Sequence, residues 1–331
     1  MGVVERFKAL VRTLGNIHLQ GDKPNILLLA TPRGGSTWMM EIIASQAGMK
    51  YFDEPFNIRR RDVIAAGRVV SWADLMPEAD NKDRLIQYLK DLSANRIGGM
   101  NPPPFRKHHR FFTNRVVFKI HELEHMASTL EQELGAQVLY LLRHPIATAM
   151  SRNVLPRLEL FMNSPYYREA YLDEAGLKAI SRVYDHGTNI ERGVLAWCFE
   201  NVDALRCEDV KDWVFITYEE LLLNSVKACR YLADRLALDD VGAMLRGVGE
   251  PSVNINLSGE DTHRILKEAD ERDKKRKLVT KWKSKVDDEG ERAAMDLLPL
   301  FGLDAYSAGR FIANRRFLLF EDTTDPEYVG A

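Results

Sequence analysis

Three short stretches of this 331-residue sequence hold residues whose types and spacing suit work on a charged, phosphate-bearing ligand. In "TPRGGSTW", Arg33 offers a fixed cation, and Gly34 and Gly35 let backbone amides come close to an anion. Ser36 and Thr37 then bring hydroxyls and free amides to the start of a helix. In "FKIHEL", Lys119 and His121 stand two apart, so on a strand they face the same way. In "RHPIATAMS", Arg143 precedes a proline-initiated helix carrying Ser151, a cation and a hydroxyl suited to clamping a second phosphate. A histidine, with an ordinary pKa of about 6.5, accepts a proton near neutrality. Together these residue types describe an anion site beside a proton acceptor.

Each stretch has to be positioned by the element that feeds it. Apolar runs without polar alternation at Asn25–Ala30, Val116–Ile120, Val138–Leu142 and Trp213–Thr217 predict strands covered on both faces. Helical spacing predicts helices over Thr37–Gln46, Asp83–Leu92, Leu123–Leu134, Ile146–Asn153, Gly193–Leu205 and Ser225–Leu236. The alternation predicts an α/β fold, a single domain with a central parallel sheet flanked by helices. Its first strand opens a P-loop-like strand-loop-helix, and Pro32 ends that strand by holding Thr31 extended. The domain is expected to span 1–331, with its core over about 25–310, an amphipathic helix in 1–20 and an acidic tail at 321–331. Residues 95–110, with Gly98-Gly99 and three consecutive prolines, read as an irregular excursion or lid, and residues 154–190 as a second, aromatic one.

Composition narrows the function classes. A net charge of −2 argues against a nucleic-acid binder, which carries a strongly basic footprint. No apolar run approaches the roughly 18–20 residues that span a membrane. Cys198, Cys207 and Cys229 have no metal-like spacing and are expected to be reduced thiols, in keeping with a cytoplasmic protein. No acidic spacing suggests a metal site. Val3, Val4, Phe7, Leu10, Val11 and Leu14 form one helical stripe, expected to pack on the domain, with peripheral membrane contact by 1–20 as the second reading. The basic runs Arg106–Arg110 and Arg272–Lys285 are either solvated faces or ligand contacts.

The phosphate loop departs from the kinase and ATPase pattern G-x-x-x-x-G-K-[ST]: it lacks the first glycine and the Gly-Lys pair. In order and strand-end placement the three stretches resemble instead the sulfotransferase family that uses 3'-phosphoadenosine 5'-phosphosulfate (PAPS). "PRGGSTW", Pro32–Trp38, is similar to the family's P-K-S-G-T-T-W, with Arg33 in place of lysine. "KIH", Lys119–His121, is similar to its K-T-H, and Arg143–Ser151 to its R-x-P-x-x-x-x-x-S, which holds the 3'-phosphate. More loosely, "FITYEEL" places Tyr218 where the family has a tyrosine near the adenine. "KKRKLVTKWK" resembles R-K-G-x-x-G-x-W-K and offers Lys275 and Arg276, but has Lys277 and Thr280 where the family has glycines.

The resemblance implies transfer of a sulfuryl group from PAPS to a hydroxyl, less readily an amine, leaving 3',5'-adenosine bisphosphate (PAP), with no metal required. It makes His121 the general base, with Arg33 and Lys119 steadying the developing charge. Gly34, Gly35, Ser36 and Thr37 would hold the 5'-phosphate, and Trp38 would stack on adenine. Glu54, in "YFDEPFNI", is the rival base, since that stretch is similar to one in some bacterial carbohydrate sulfotransferases. The acceptor is open among small-molecule, lipid, polyketide-like and carbohydrate classes. Phe105, Phe111, Phe112, Phe161, Tyr166, Tyr167 and Tyr184 supply aromatic surface for an apolar one. Outside the family, a P-loop kinase-like phosphotransferase and a catalytically silent nucleotide-binding protein remain as alternatives.

Overall fold

A computed structural model gives the fold and describes residues 3–66, 69–155, 157–207, 212–251 and 271–324. The chain opens with α1 (Val3–Leu14), β1 (Ile17–His18), β2 (Ile26–Ala30), α2 (Ser36–Ala44), β3 (Met49–Asp53), α3 (Arg61–Ala66) and α4 (Lys82–Ser93). It continues with β4 (Phe112–Thr113), β5 (Arg115–Ile120), α5 (Ala127–Leu134), β6 (Gln137–Leu142), α6 (Pro145–Ala149), α7 (Arg157–Asn163), α8 (Pro165–Tyr171), α9 (Glu174–His186) and α10 (Asn189–Arg206). The remaining elements are β7 (Val214–Thr217), α11 (Tyr218–Leu223), α12 (Ser225–Arg235), α13 (Val241–Gly249), α14 (Glu271–Thr280) and α15 (Asp288–Met295).

The fold is α/β: a parallel sheet in the order β3-β5-β2-β6-β7, flanked by helices, with β1 and β4 as a separate parallel pair. The four strands expected from apolar runs are present within a residue or two of their forecast ends. Strand β3 was not forecast. From β2 the chain goes first to one side of the sheet and later to the other. The carboxyl end of β2 is therefore where the strand order reverses, the place at which open α/β sheets bind ligands.

Two compact units divide the chain. The first takes in Met1–Ala30, Ser36–Tyr140 and Arg230–Glu250, and the second Thr31–Gly35, Leu141–Cys229 and Pro251–Ala331. In the first, β2 is wholly buried, and Phe52 of β3 stacks on Phe118 of β5 at 5.3 Å between ring centroids. Helix α2 covers these strands with Met39, Ile42 and Ile43, which explains its apolar character on nearly every side. In the second, α10 is the central helix, started by a capping box in which Thr188 and Glu191 exchange side-chain bonds. His144 stacks on Trp282 at 4.3 Å beside it.

Residues 154–190 prove helical where an irregular excursion was expected. Pro165, an apparent breaker, starts α8 behind a Ser164 cap, and Asp173 caps α9; Pro156 lies outside the described residues. Phe161 and Tyr167 are buried there against Phe199, which gives both a packing role. Residues 95–110 are irregular as expected, apart from a single turn at Gly98–Met100. Cys198, Cys207 and Cys229 are free thiols. Among the described residues no helix is long and apolar enough to cross a membrane. Of the acidic tail, Glu321–Thr324 forms one turn, and residues 325–331 lie outside the described residues.

The amino-terminal helix corrects the packing expectation. It forms over Val3–Leu14, but its small and charged side faces the unit and its apolar stripe faces outward. Ala9 and Thr13 lie against Gly99 and Gly98, whose missing side chains make room for the close approach. Arg12 donates to Asp62 at 2.8 Å and to the Gly99 carbonyl at 3.3 Å.

The same unit holds a buried lysine. Lys50 Nζ donates to the amide oxygens of Asn95 and Asn101 at 3.3 and 3.4 Å, and has no carboxylate partner among the described residues. Burial lowers its pKa from 10.5 to about 7. Between these values the unfolded chain binds the extra proton, so the contribution of Lys50 to stability rises with pH from about 7 to 10.5. Lys50→Met is expected to gain stability relative to the parent at pH 7, on the order of 4 kcal/mol, and to lose that advantage by about pH 10. Urea unfolding of both chains across that range checks it, and parallel pH profiles would refute it.

Candidate functional site

In the first unit, β5 delivers Lys119 and His121 to one place, as the two-residue spacing predicts. Lys119 pairs in register with Leu28 of β2 on one side and Asp53 of β3 on the other. Its Nζ donates to Asp53 Oδ1 at 2.6 Å and Thr37 Oγ1 at 2.8 Å, and lies 2.8 Å from Glu54 Oε1. His121 follows the strand end. Its Nδ1 donates to the Ala30 carbonyl, and its Nε2 lies 3.5 Å from Ser36 Oγ and 3.4 Å from Glu54 Oε1. The Ala30 carbonyl accepts only, so the ring proton sits on Nδ1 in the neutral form. The Nε2 lone pair is left facing the hydroxyl at the start of α2.

Charge in this cluster is fixed firmly. Burial alone would lower the Lys119 pKa, but Asp53 and Glu54 outweigh it and hold the ammonium protonated, above its ordinary value. Burial alone would raise Glu54, but its bond to His121, made when Nε2 carries a proton, and the Lys119 charge outweigh that and hold it well below the usual carboxylate range. A carboxylate held so low has little affinity for a proton.

Glu54 also sits at φ 50°, and Glu122, just past His121, at φ 65°, both unfavourable for residues with side chains. Glu54 is kept there by its own amide donating to the Lys119 carbonyl at 3.0 Å and by Asn57 Nδ2 donating to its Oε2. Arg60 donates to the Asp53 carbonyl and pairs with Asp62, which in turn meets Arg12 of α1.

In the second unit, the loop Thr31–Gly35 turns tightly, with the Gly34 amide donating to the Thr31 carbonyl at 2.8 Å. Arg33 is exposed at φ 71°. Gly35 adopts φ 97°, and a side chain there would meet the Tyr218 ring at 2.7 Å. The Arg143 guanidinium lies 4.1 Å over that same ring and donates from Nη1 to the Arg33 carbonyl at 3.0 Å. Its Nε is buried with no partner among the described residues. Ser151 donates to the Thr148 carbonyl, one turn back.

Three residues outside the forecast set support the loop from α10 and from the segment that follows α6. Arg152 pairs bidentately with Glu200 and donates to the Pro32 carbonyl at 3.4 Å. Asn201 donates to the Thr31 hydroxyl at 2.8 Å. The signal for Glu200 and Asn201 was in the sequence: polar residues standing inside the otherwise apolar stripe of Gly193–Leu205.

Three other forecast residues have surroundings of their own. Trp38 is buried and donates from Nε1 to the Gly247 carbonyl at 3.2 Å, which ties α2 to α13. Lys275 donates to Ser225 Oγ at 3.1 Å, at the start of α12. Arg276 is exposed on α14, a continuous helix where the family's element has glycines. A cavity of about 520 Å³ lies at the amino end of β2, the edge opposite Lys119 and His121. Its cations Lys23, Lys90 and Arg96 are paired with Asp239, Glu133 and Asp91, which leaves it without reactive character.

No protein-family model and no curated protein matches this sequence. Among solved structures the chain is similar to a sulfotransferase domain from the Synechococcus PCC 7002 olefin synthase, at 17% identity and a TM-score of 0.43, covering 87% of this chain and 99% of that one. It is similar to a sulfotransferase domain from the curacin biosynthetic pathway, at 15% identity and a TM-score of 0.36, covering 70% and 78%. It is also similar to mouse sulfotransferase SULT7A1 complexed with PAP, at 15% identity and a TM-score of 0.39, covering 88% and 89%. At these scores the functional argument rests on the chain's own residues.

Proposed function

We propose that this protein is a sulfotransferase that moves a sulfuryl group from PAPS to a hydroxyl of a small-molecule, lipid or carbohydrate acceptor. The observation that carries the reading is the His121 ring, fixed by the Ala30 carbonyl with Nε2 as its proton acceptor, between Ser36 and a permanently ionised Glu54. A kinase loop would instead need its lysine and a hydroxyl committed to magnesium. Three free thiols suit a reducing, cytoplasmic setting.

The residues present fit an anionic nucleotide. Gly35 is kept bare where the loop meets the Tyr218 ring, and Arg143 keeps a buried N–H with no partner among the described residues. Ser36 and Thr37 would hold the 5'-phosphate at the start of α2, and Arg33 and Arg143 would add positive charge. The donor supplies a sulfuryl group that is already activated. His121 Nε2 takes the proton of the acceptor hydroxyl as that oxygen bonds to sulfur and the bond from sulfur to the phosphate oxygen breaks. The resemblance gives Arg33 and the Lys119 ammonium the role of countering the charge that gathers on the departing phosphate. Glu54 steadies the imidazolium that forms, and Asn57 and Lys119 hold Glu54 in place.

A comparison of ligand-induced melting shifts tests the donor. PAP at 100 times its Kd is expected to add about 2.7 kcal/mol of stability, with ATP plus magnesium and ADP giving less. A preference for ATP would sink the proposal, and binding of PAP without turnover of labelled PAPS would leave only a silent binder.

A further inference from the structure

Helix α1 is mounted with its apolar stripe outward, an arrangement that leaves strongly hydrophobic side chains in water. Val4 is 64% exposed, Phe7 64%, Leu10 54% and Leu14 66%. At 100° per residue these four and Val11 fall within about 120° of the helix wheel, one continuous face. The opposite face is fully used, by Ala9, Arg12 and Thr13 against Gly98, Gly99 and Asp62. The stripe is thus fixed in place by its own docking and is not a helix that happens to be detached.

The surface continues into the neighbouring segment. Asn16 donates to the Arg110 carbonyl at 3.0 Å, and β1 pairs with β4 in the register Ile17↔Phe112. That pairing adds Leu19, Phe111 and Phe112, all exposed. On the same excursion Phe105 has φ 70° and a relative exposure of 103%. A bulky residue in the left-handed region is strained, and here the strain holds an aromatic ring wholly in solvent. An apolar stripe and an aromatic ring both held in solvent suit insertion into a fluid interface.

Charge selects the occupant. The whole chain carries −2, yet α1 has Arg6, Lys8 and Arg12 against Glu5 alone, and residues 105–112 have Arg106, Lys107 and Arg110 with no acid. Arg12 is paired with Asp62, and Lys107 with Glu41 and Glu250. Lys8 neutralises Glu5 at 3.0 Å. Arg6, Arg106 and Arg110 have no carboxylate partner among the described residues. A second copy of the chain docking by this face would bring basic collar against basic collar. Cations around an exposed apolar and aromatic ridge complement negatively charged headgroups.

We propose that α1 and the 105–112 excursion form a docking surface for an anionic lipid bilayer, with the α1 stripe and Phe105 entering the interface. This stands on observations separate from the sulfuryl-transfer reading, so either can fail alone. The full-length protein is tested by cosedimentation with phosphatidylcholine vesicles and with vesicles that also contain phosphatidylglycerol. Binding is expected to the anionic vesicles, weakened by salt. Phe7→Glu/Leu14→Glu is expected to lower the partition coefficient at least about tenfold. Arg6→Ala and Arg106→Ala are each expected to lower it roughly fivefold. Phe105→Ser, on a surface loop, gives an independent arm should the helix variants lose their fold. The proposal is overturned if neither vesicle binds, or if binding survives the Phe7→Glu/Leu14→Glu and Phe105→Ser changes. It is equally overturned if, without vesicles, those variants turn an oligomer into a monomer, which would make the face a contact between protein chains.

Discussion

Replacing His121 with alanine is expected to lower turnover by about two to four orders of magnitude, the range over which a positioned base contributes. The PAP-induced melting shift should survive, because the proposed nucleotide contacts lie on Arg33, Ser36, Thr37 and Arg143. That split between catalysis and binding separates a base from a structural residue. The rival assignment is Glu54. Its carboxyl is held well below the ordinary range by His121 and Lys119 despite burial, so it is a poor proton acceptor and a good counter-charge. Glu54→Gln should therefore cost less than His121→Ala, since the amide keeps the shape and loses the charge. An active His121→Ala enzyme beside an inactive Glu54→Ala enzyme would reverse the two roles.

The largest expected effect on stability is at Arg152 and Glu200. Their side chains are 5% and 0% exposed, and the guanidinium meets the carboxylate through two bonds. Removing one partner leaves an unpaired buried charge, which costs about 3–5 kcal/mol. Arg152→Met and Glu200→Leu alone should each show that loss in urea unfolding. Together they should recover most of it, since apolar groups of similar volume replace a buried pair at little cost. Arg152→Met should also weaken PAP binding, because Arg152 holds the Pro32 carbonyl of the loop. Single losses below about 1 kcal/mol would mean the pair behaves as a surface contact and does not support the loop.

The candidate-site residues could be proposed from sequence because each sits in a short local pattern that must end a strand or begin a helix. Lys119 and His121 could be assigned to one face from their spacing alone. The contact that orients His121 was not legible: the carbonyl of Ala30 enters through tertiary packing, which spacing does not encode. Strand β3 was missed for a similar reason. "MKYFD" looks polar, and only the tertiary burial of Lys50 between Asn95 and Asn101 makes that residue compatible with a covered strand. Helix α1 was recognised from its periodicity, yet the same periodicity cannot say which face is docked. Two glycines far along the chain, Gly98 and Gly99, decide that.

Tyr218 and Arg143 vary together, and Gly35 does not vary at all. A larger residue at 35 needs a smaller ring at 218, but a smaller ring removes the surface on which Arg143 lies. Even a paired exchange leaves the backbone at φ 97°, which only glycine adopts without strain. Relatives sharing this loop geometry should therefore keep glycine at this position even where the tyrosine and the arginine have been exchanged together.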